Sequence, residues 1–153
     1  INANRDISNY EVFGYKVVSD KFDGYRGPLA GLHSAIDLYK NSKEDLWFAL
    51  FPTDAPIINT GIIDNFISIT EKKNKVYICK INNIIEPMFS FWSSKIFVNL
   101  NEVLLKNNGY KIMKFAEENG YNFINFQKKK KIEFFNVNDK NDYTELLSFN
   151  EIK

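Results

Sequence analysis

The chain has 153 residues, is 44% hydrophobic and 16% aromatic, and carries a net charge of +1. That length suits about one domain with ample apolar content for a core, and the charge gives no global pull toward nucleic acid or an anionic membrane. Its single cysteine, Cys79, excludes an internal disulfide and any cysteine-based zinc site and suits a reducing, cytoplasmic setting.

No apolar run reaches the ~18 residues of a bilayer span, and no stretch reads as a signal peptide. The chain opens without Met on "INAN", which reads as the tail of a strand. We therefore expect a trimmed first strand and a single domain over 1–153, with no linker or internal repeat. Residues 15–18, "YKVV", read as a short strand ending at Ser19 and Asp20. Residues 23–28, "DGYRGP", form a loop whose Pro28 suits the first turn of a helix. Leu29, Leu32, Ile36 and Tyr39 then mark one helical face.

Residues 46–51, "LWFALF", show no alternation, the pattern of a strand buried on both faces of a parallel sheet. A helix is predicted from about 60 to 71, a strand over 76–81, and an extended stretch over 84–93 interrupted by Pro87. Helical patterns return over 95–106 and 111–118. Two short strands, 121–127 and 131–135, flank "KKKK". A final helix runs from about 139 to 147, capped by Asp139 or Asn138. Strands alternating with helices indicate an α/β sheet with parallel crossovers.

In open parallel sheets, ligands bind beyond the carboxyl ends of the strands. Polar residues stand at three such ends: Asn2 with Asn4, then Asp20, then Asp54 within "FPTDAP". Between the last two, "GPLAGL" opens a helix, where Gly27 and Gly31 let backbone amides approach a phosphate or a base. A carboxylate between Pro52 and Pro56 suits Mg²⁺, which takes one or two carboxylates and completes its shell with substrate phosphates. Transfer at phosphorus rests mainly on positioning and electrostatics, and such an ion neutralises charge there. Singly, Asp54 is equally a turn or cap residue, and the glycine pair is weak evidence. On successive strand ends they reinforce one another.

These stretches resemble a known family. "INAN", "VVSD", "GYRGPLAGL", "WFALFPTDAPII" and "FFNVNDKNDYTEL" are similar to the molybdenum cofactor guanylyltransferases, in register from Ile1 to about Leu147 and closest over 1–58 and 134–147. The resemblance implies a three-layer, Rossmann-like, mostly parallel α/β sheet with flanking helices, of nucleotide-diphospho-sugar transferase-like type, truncated at its N-terminus. It implies that the terminal phosphate of molybdopterin attacks the α-phosphorus of GTP. Asn2 and Asp20 would contact the guanosine, and Asp54 would bind Mg²⁺ and the phosphates. Gly27, Pro28, Leu29, Ala30 and Gly31 would line the nucleotide pocket. Asn136 and Asn138 would lie on the pterin side. Molybdenum-insertion and acceptor molybdoenzyme proteins would be partners. The family's glycine-rich triphosphate loop precedes the strand ending in "INAN" and is absent here; we expect the parent protein to carry it, and an apolar edge where the first strand is missing.

Other residues invite simpler readings. His33 reads as a helix-surface residue, Cys79 as a small buried hydrophobe, and Trp47 and Trp92 as core. Lys128 to Lys131 form a solvated hairpin turn or a basic lip for an anionic cofactor or partner protein. Arg26 could reach a phosphate or serve the surface. Two competing functions stay open: transfer from CTP or to a sugar phosphate, and a non-catalytic molybdenum cofactor-binding module.

Overall fold

The computed structural model describes residues 1–106 and 109–149; residues 107, 108 and 150–153 of the expected domain lie outside the described residues. In chain order the elements are α1 (Ser8–Glu11), α2 (Pro28–Asp37), β1 (Trp47–Leu50), α3 (Gly61–Ile67), β2 (Val76–Ile81), β3 (Ile84–Ser93), α4 (Phe97–Lys106), α5 (Ile112–Asn119), β4 (Tyr121–Phe126) and α6 (Lys140–Ser148). The strand β2 shows why they assemble as they do. Successive side chains point to opposite faces. Val76 and Ile78 enter one core, while Tyr77, Cys79 and Ile81 enter the other.

Helices therefore cover both faces. On one side α2, α4 and α5 bring Leu29, Leu32, Ile36, Leu100, Leu104 and Phe115 against Val76, Ile78 and Trp92. On the other, α3 brings Ile62 and Phe66 against Tyr77 and Phe91, the rings of Phe66 and Phe91 stacking at 4.2 Å. The sheet order is β1-β3-β2-β4. β3 runs antiparallel to both β1 and β2, and β4 runs parallel to β2. Three of the four strands thus share a direction, with β3 set against them. Their carboxyl ends share one edge of the sheet. No helix among the described residues is long and apolar enough to cross a membrane.

Several elements differ from expectation. Among the described residues β1 pairs on one side only, antiparallel with β3 instead of in a parallel set, and leaves Ala49 exposed. Its run lacks alternation because Phe48 and Leu50 pack on one core while Trp47 and Phe51 pack on the other. Pro87 does not interrupt β3. The register jumps from Ile78 opposite Ser90 to Cys79 opposite Glu86. Residues 87–89 thus bulge, and there a missing N–H removes no ladder bond.

Residues 15–18 supply one parallel bridge, Val18 to Asn2, instead of a strand, and Tyr15 is exposed. Residues 131–135 form a turn, because Ile132 and Glu133 both fold inward and Phe134 takes a left-handed φ of 58°. α3 stops at Ile67, short of residue 71, where the Ser68 hydroxyl donates to the Asn65 carbonyl at 2.8 Å. α6 is capped by Asp139, whose carboxylate accepts from the Asn141 and Asp142 amides at 2.7 and 2.9 Å.

Candidate nucleotide site

The N-terminal segment and the 18–20 segment form a polar knot. The Ala3 amide donates to the Val18 carbonyl, and the Val18 amide to the Ile1 carbonyl, each at 2.9 Å. This brings Asn2, Asn4 and Asp20 together. The Asn2 amide nitrogen donates to Asp20 Oδ1 and the Asn4 amide nitrogen to Asp20 Oδ2, both at 2.9 Å. The Asp20 backbone N–H donates in turn to Asn4 Oδ1 at 2.8 Å. Both carboxylate oxygens are thereby aimed, each with lone pairs to spare. Beyond Asp20 the chain is tied down by the Lys21 amide to Ser34 Oγ at 3.2 Å and by a Lys21–Asp37 ion pair. That pairing, with Lys40 at 3.1 Å, holds the Asp37 carboxyl below the usual carboxylate range.

Gly27 and Gly31 serve the site in different ways. Gly27 precedes α2 with φ 75°, a left-handed conformation that costs glycine little, and a Cβ there would meet nothing within 4 Å. Gly31 is a matter of space: its Cβ would lie 2.4 Å from Asn2 Oδ1. The helix thus comes close enough to press against the knot. Pro28 occupies the first turn, as expected. Leu29 and Ala30 point into the core with no exposure, so only their backbone belongs to the site's surroundings.

A cleft of about 490 Å³ lies between this knot and β1. Its polar rim includes Asn2, Asn4, Asp20, Gly27 and Thr53; its apolar floor includes Leu32, Ala35, Phe48 and Ala49. The outer edge of β1, which has no strand partner among the described residues, runs along that floor. Asp54 stands one residue past the rim, exposed, in the loop leaving β1. Among the described residues nothing donates a hydrogen bond to its carboxylate, and no group of three His, Cys, Asp or Glu side chains could cage a metal. A single open carboxylate of this kind fits Mg²⁺ bound chiefly by substrate phosphates.

Asn136 and Asn138 are exposed, and neither lines the cleft. The Val137 amide between them donates to the Asp54 carbonyl at 2.7 Å, so the backbone of that segment lies against the Asp54 loop.

Other side chains depart from expectation. His33 is buried, not on the helix surface. It sits edge-on to Phe22 and stacked on Phe97, with Nε2 3.2 Å from Asn101 Oδ1. It was misplaced because α2 is covered on this side by α4 and by the loop holding Phe22. Burial lowers its pKa, the Asn101 bond opposing in part. Arg26 is not among the residues lining the cleft; it bonds the Asp23 carbonyl at 2.9 Å and the Leu104 carbonyl at the end of α4. Lys128 to Lys131 are exposed in a turn that leads to no second strand. Trp92 is fully buried and Trp47 half-buried. Cys79 is buried, which pushes its thiol up to about 12. Burial also raises Glu86. Asn4, read beside Asn2 at a strand end, does join the knot, whereas the inward turn of Glu133 had no local signal and escaped the sequence reading.

An α/β sheet with polar residues gathered at one carboxyl edge defines the class of open-sheet folds that bind nucleotide-like ligands there. The MobA-like NTP transferase domain family matches residues 1–120, and the chain belongs to that family. It is 30% identical over 118 residues to the molybdenum cofactor guanylyltransferase of Vibrio atlanticus, covering 77% of this chain and 58% of that protein. The chain thus spans about three fifths of the length of the curated relatives it matches. The fold is that of molybdopterin-guanine dinucleotide biosynthesis protein A from Archaeoglobus fulgidus, with a TM-score of 0.69 at 18% identity over 94% of this chain and 73% of that one. A protein of Aquifex aeolicus superposes with the same score at 20% identity, covering 89% and 69%. The three-layer α/β architecture expected from the resemblance stands. The family match ends before Asn136 and Asn138.

Proposed function

We propose that this domain serves the transfer of GMP from GTP to the terminal phosphate of molybdenum-bearing molybdopterin. An oxygen of the acceptor phosphate bonds to the α-phosphorus, the bond from that phosphorus to the α,β-bridging oxygen breaks, and pyrophosphate leaves with the electron pair. The attacking phosphate is already ionised, so no protein base is required. The products are a guanine dinucleotide cofactor and pyrophosphate.

Family membership and the names of the relatives support this reading. The observation that carries it is the knot at the cleft's rim, where Asn2 and Asn4 hold both oxygens of Asp20. An aimed carboxylate accepts hydrogen bonds and gives none. It suits guanine, which offers N1–H and the N2 amino group side by side, better than cytosine. Gly27 and Gly31 let the α2 backbone border the cleft. Asp54 would hold Mg²⁺, which when bound neutralises charge on the phosphates. Asn136 and Asn138 would meet the acceptor from the other side of the Asp54 loop.

Transfer of labelled GMP from GTP to molybdopterin by the natural protein tests the reading, with CTP as competitor. Preference for GTP of at least about a hundredfold is expected, since a site built to receive particular N–H groups discriminates strongly. Relaxation of that preference in Asp20→Asn is also expected. Equal use of CTP would overturn the base assignment. A second reading, a molybdenum cofactor-binding module without transfer, draws support from one feature: the described residues lining the cleft include no lysine or arginine for a triphosphate. Acceptor binding with no GMP transfer would favour it.

A further inference from the structure

We infer that Glu133 is a positioning residue, holding the segment that carries Asn136 and Asn138 against the Asp54 loop. The inference rests on the transferase reading for its consequence, and on geometry for its substance. Glu133 is buried at 7% exposure, yet both of its oxygens are engaged. Oε1 accepts from the Asn59 side-chain amide at 2.9 Å, and Oε2 accepts from the Lys129 backbone amide at 2.8 Å. One carboxylate thus joins the loop after Asp54 to the turn after β4.

The chain on either side of that clamp is shaped accordingly. Asn59 is itself fixed, its Oδ1 accepting from the Gly61 amide at the start of α3 at 3.0 Å. Directly after Glu133, Phe134 adopts φ 58°, an unfavourable conformation for a bulky residue that persists only where its surroundings impose it. Its amide donates to the Ile57 carbonyl at 2.8 Å, and its ring packs edge-on against Phe89 at 5.0 Å and Phe126 at 5.6 Å. Three residues on, the Val137 amide reaches the Asp54 carbonyl at 2.7 Å. Residues 133–137 therefore form a strap fastened to the 54–59 loop at three points: Asn59, Ile57 and Asp54. The strap sets the spacing between the nucleotide side and the acceptor side of the proposed site. Glu133 is the fastening that carries two charge-assisted hydrogen bonds on one buried carboxylate.

The test is a polarity swap. In Glu133→Gln one of the two donors meets the new NH₂ group instead of an oxygen. In Asn59→Asp combined with Glu133→Gln, the glutamine NH₂ donates to the aspartate while its oxygen still accepts from Lys129, and the net charge is unchanged. For the natural protein, E133Q should raise KM for molybdopterin about tenfold, the effect of losing one hydrogen bond to a charged group. The calorimetric Kd for GTP should stay within twofold, and the double variant should return KM to within about threefold of the parent. An unchanged KM in E133Q would overturn the inference. So would equal losses in KM and Kd that the double variant fails to repair, the signature of general destabilisation. Should the parent show no transfer at all, the functional reading falls and amide exchange decides the rest. Exchange at Phe134 and Val137 should quicken about tenfold in E133Q and slow again in the double variant. Unaltered exchange would refute the clamp itself.

Discussion

Replacing Gly31 by alanine sets two opposing effects against each other. In an ordinary helix interior the change is stabilising by about 0.5–1 kcal/mol, because glycine loses more conformational freedom on folding. Here the new Cβ would lie 2.4 Å from Asn2 Oδ1 and 2.8 Å from Asn2 Cγ, so the Asn2 side chain must move. Moving it breaks the bonds from Asn2 to Asp20 at 2.9 Å and to the Val18 carbonyl at 3.2 Å. The first has a charged acceptor and the second a neutral one; with water able to replace both, their lower limits apply, together about 2 kcal/mol. The net result is destabilisation by about 1 kcal/mol, a fall in Tm of roughly 2–4 °C for a chain of this length. Thermal unfolding of Gly31→Ala measures it. The same substitution in an Asn2→Ala background, where the obstruction is gone, should raise Tm instead. If Gly31→Ala stabilised both backgrounds equally, the close approach of α2 to the knot would be wrong.

Three further outcomes are expected. Burial lowers the pKa of His33 below its ordinary 6.5, so the unfolded chain takes up the proton first as pH falls. Stability should be full above that value and decline as pH drops through it toward the lowered folded value. Urea midpoints at pH 7.5 and pH 5.5 should therefore differ more in the parent than in His33→Gln. Asp139→Ala removes both cap bonds of α6 and should cost about 1 kcal/mol in thermal unfolding, without altering GTP affinity. The Cys79 thiol, buried and pushed up to about 12, should resist a thiol reagent at pH 8 until denaturant is added.

Much of this fold was legible because its signals are local. The α2 start is written in Gly27 and Pro28, and the α6 cap in Asp139. The strand β2 matches its predicted bounds, its apolar run being long enough to need cover on both faces. What the sequence concealed depends on pairing across long separations. The antiparallel pairing of β1 follows from β3 entering beside it, which no feature of "LWFALF" reveals. A proline usually ends a strand, and only the partner's register shows that Pro87 lies in a bulge. His33 looked exposed because its covers, Phe22 and Phe97, come from an irregular loop and from a helix 64 residues on. The grouping of Asn2 with Asp20 was readable from their places beside short extended segments, which a single bridge joins. The clamp at Glu133 was not, since its partner Asn59 is 74 residues away.

The most direct test of the proposed site is a calorimetric titration of the natural protein with GTP, with and without Mg²⁺, alongside Asp54→Ala. GTP binding that strengthens with Mg²⁺ in the parent, and loses that dependence in the variant, is the expected result. GTP binding indifferent to both Mg²⁺ and Asp54 would contradict the assignment of this carboxylate to the metal and the phosphates.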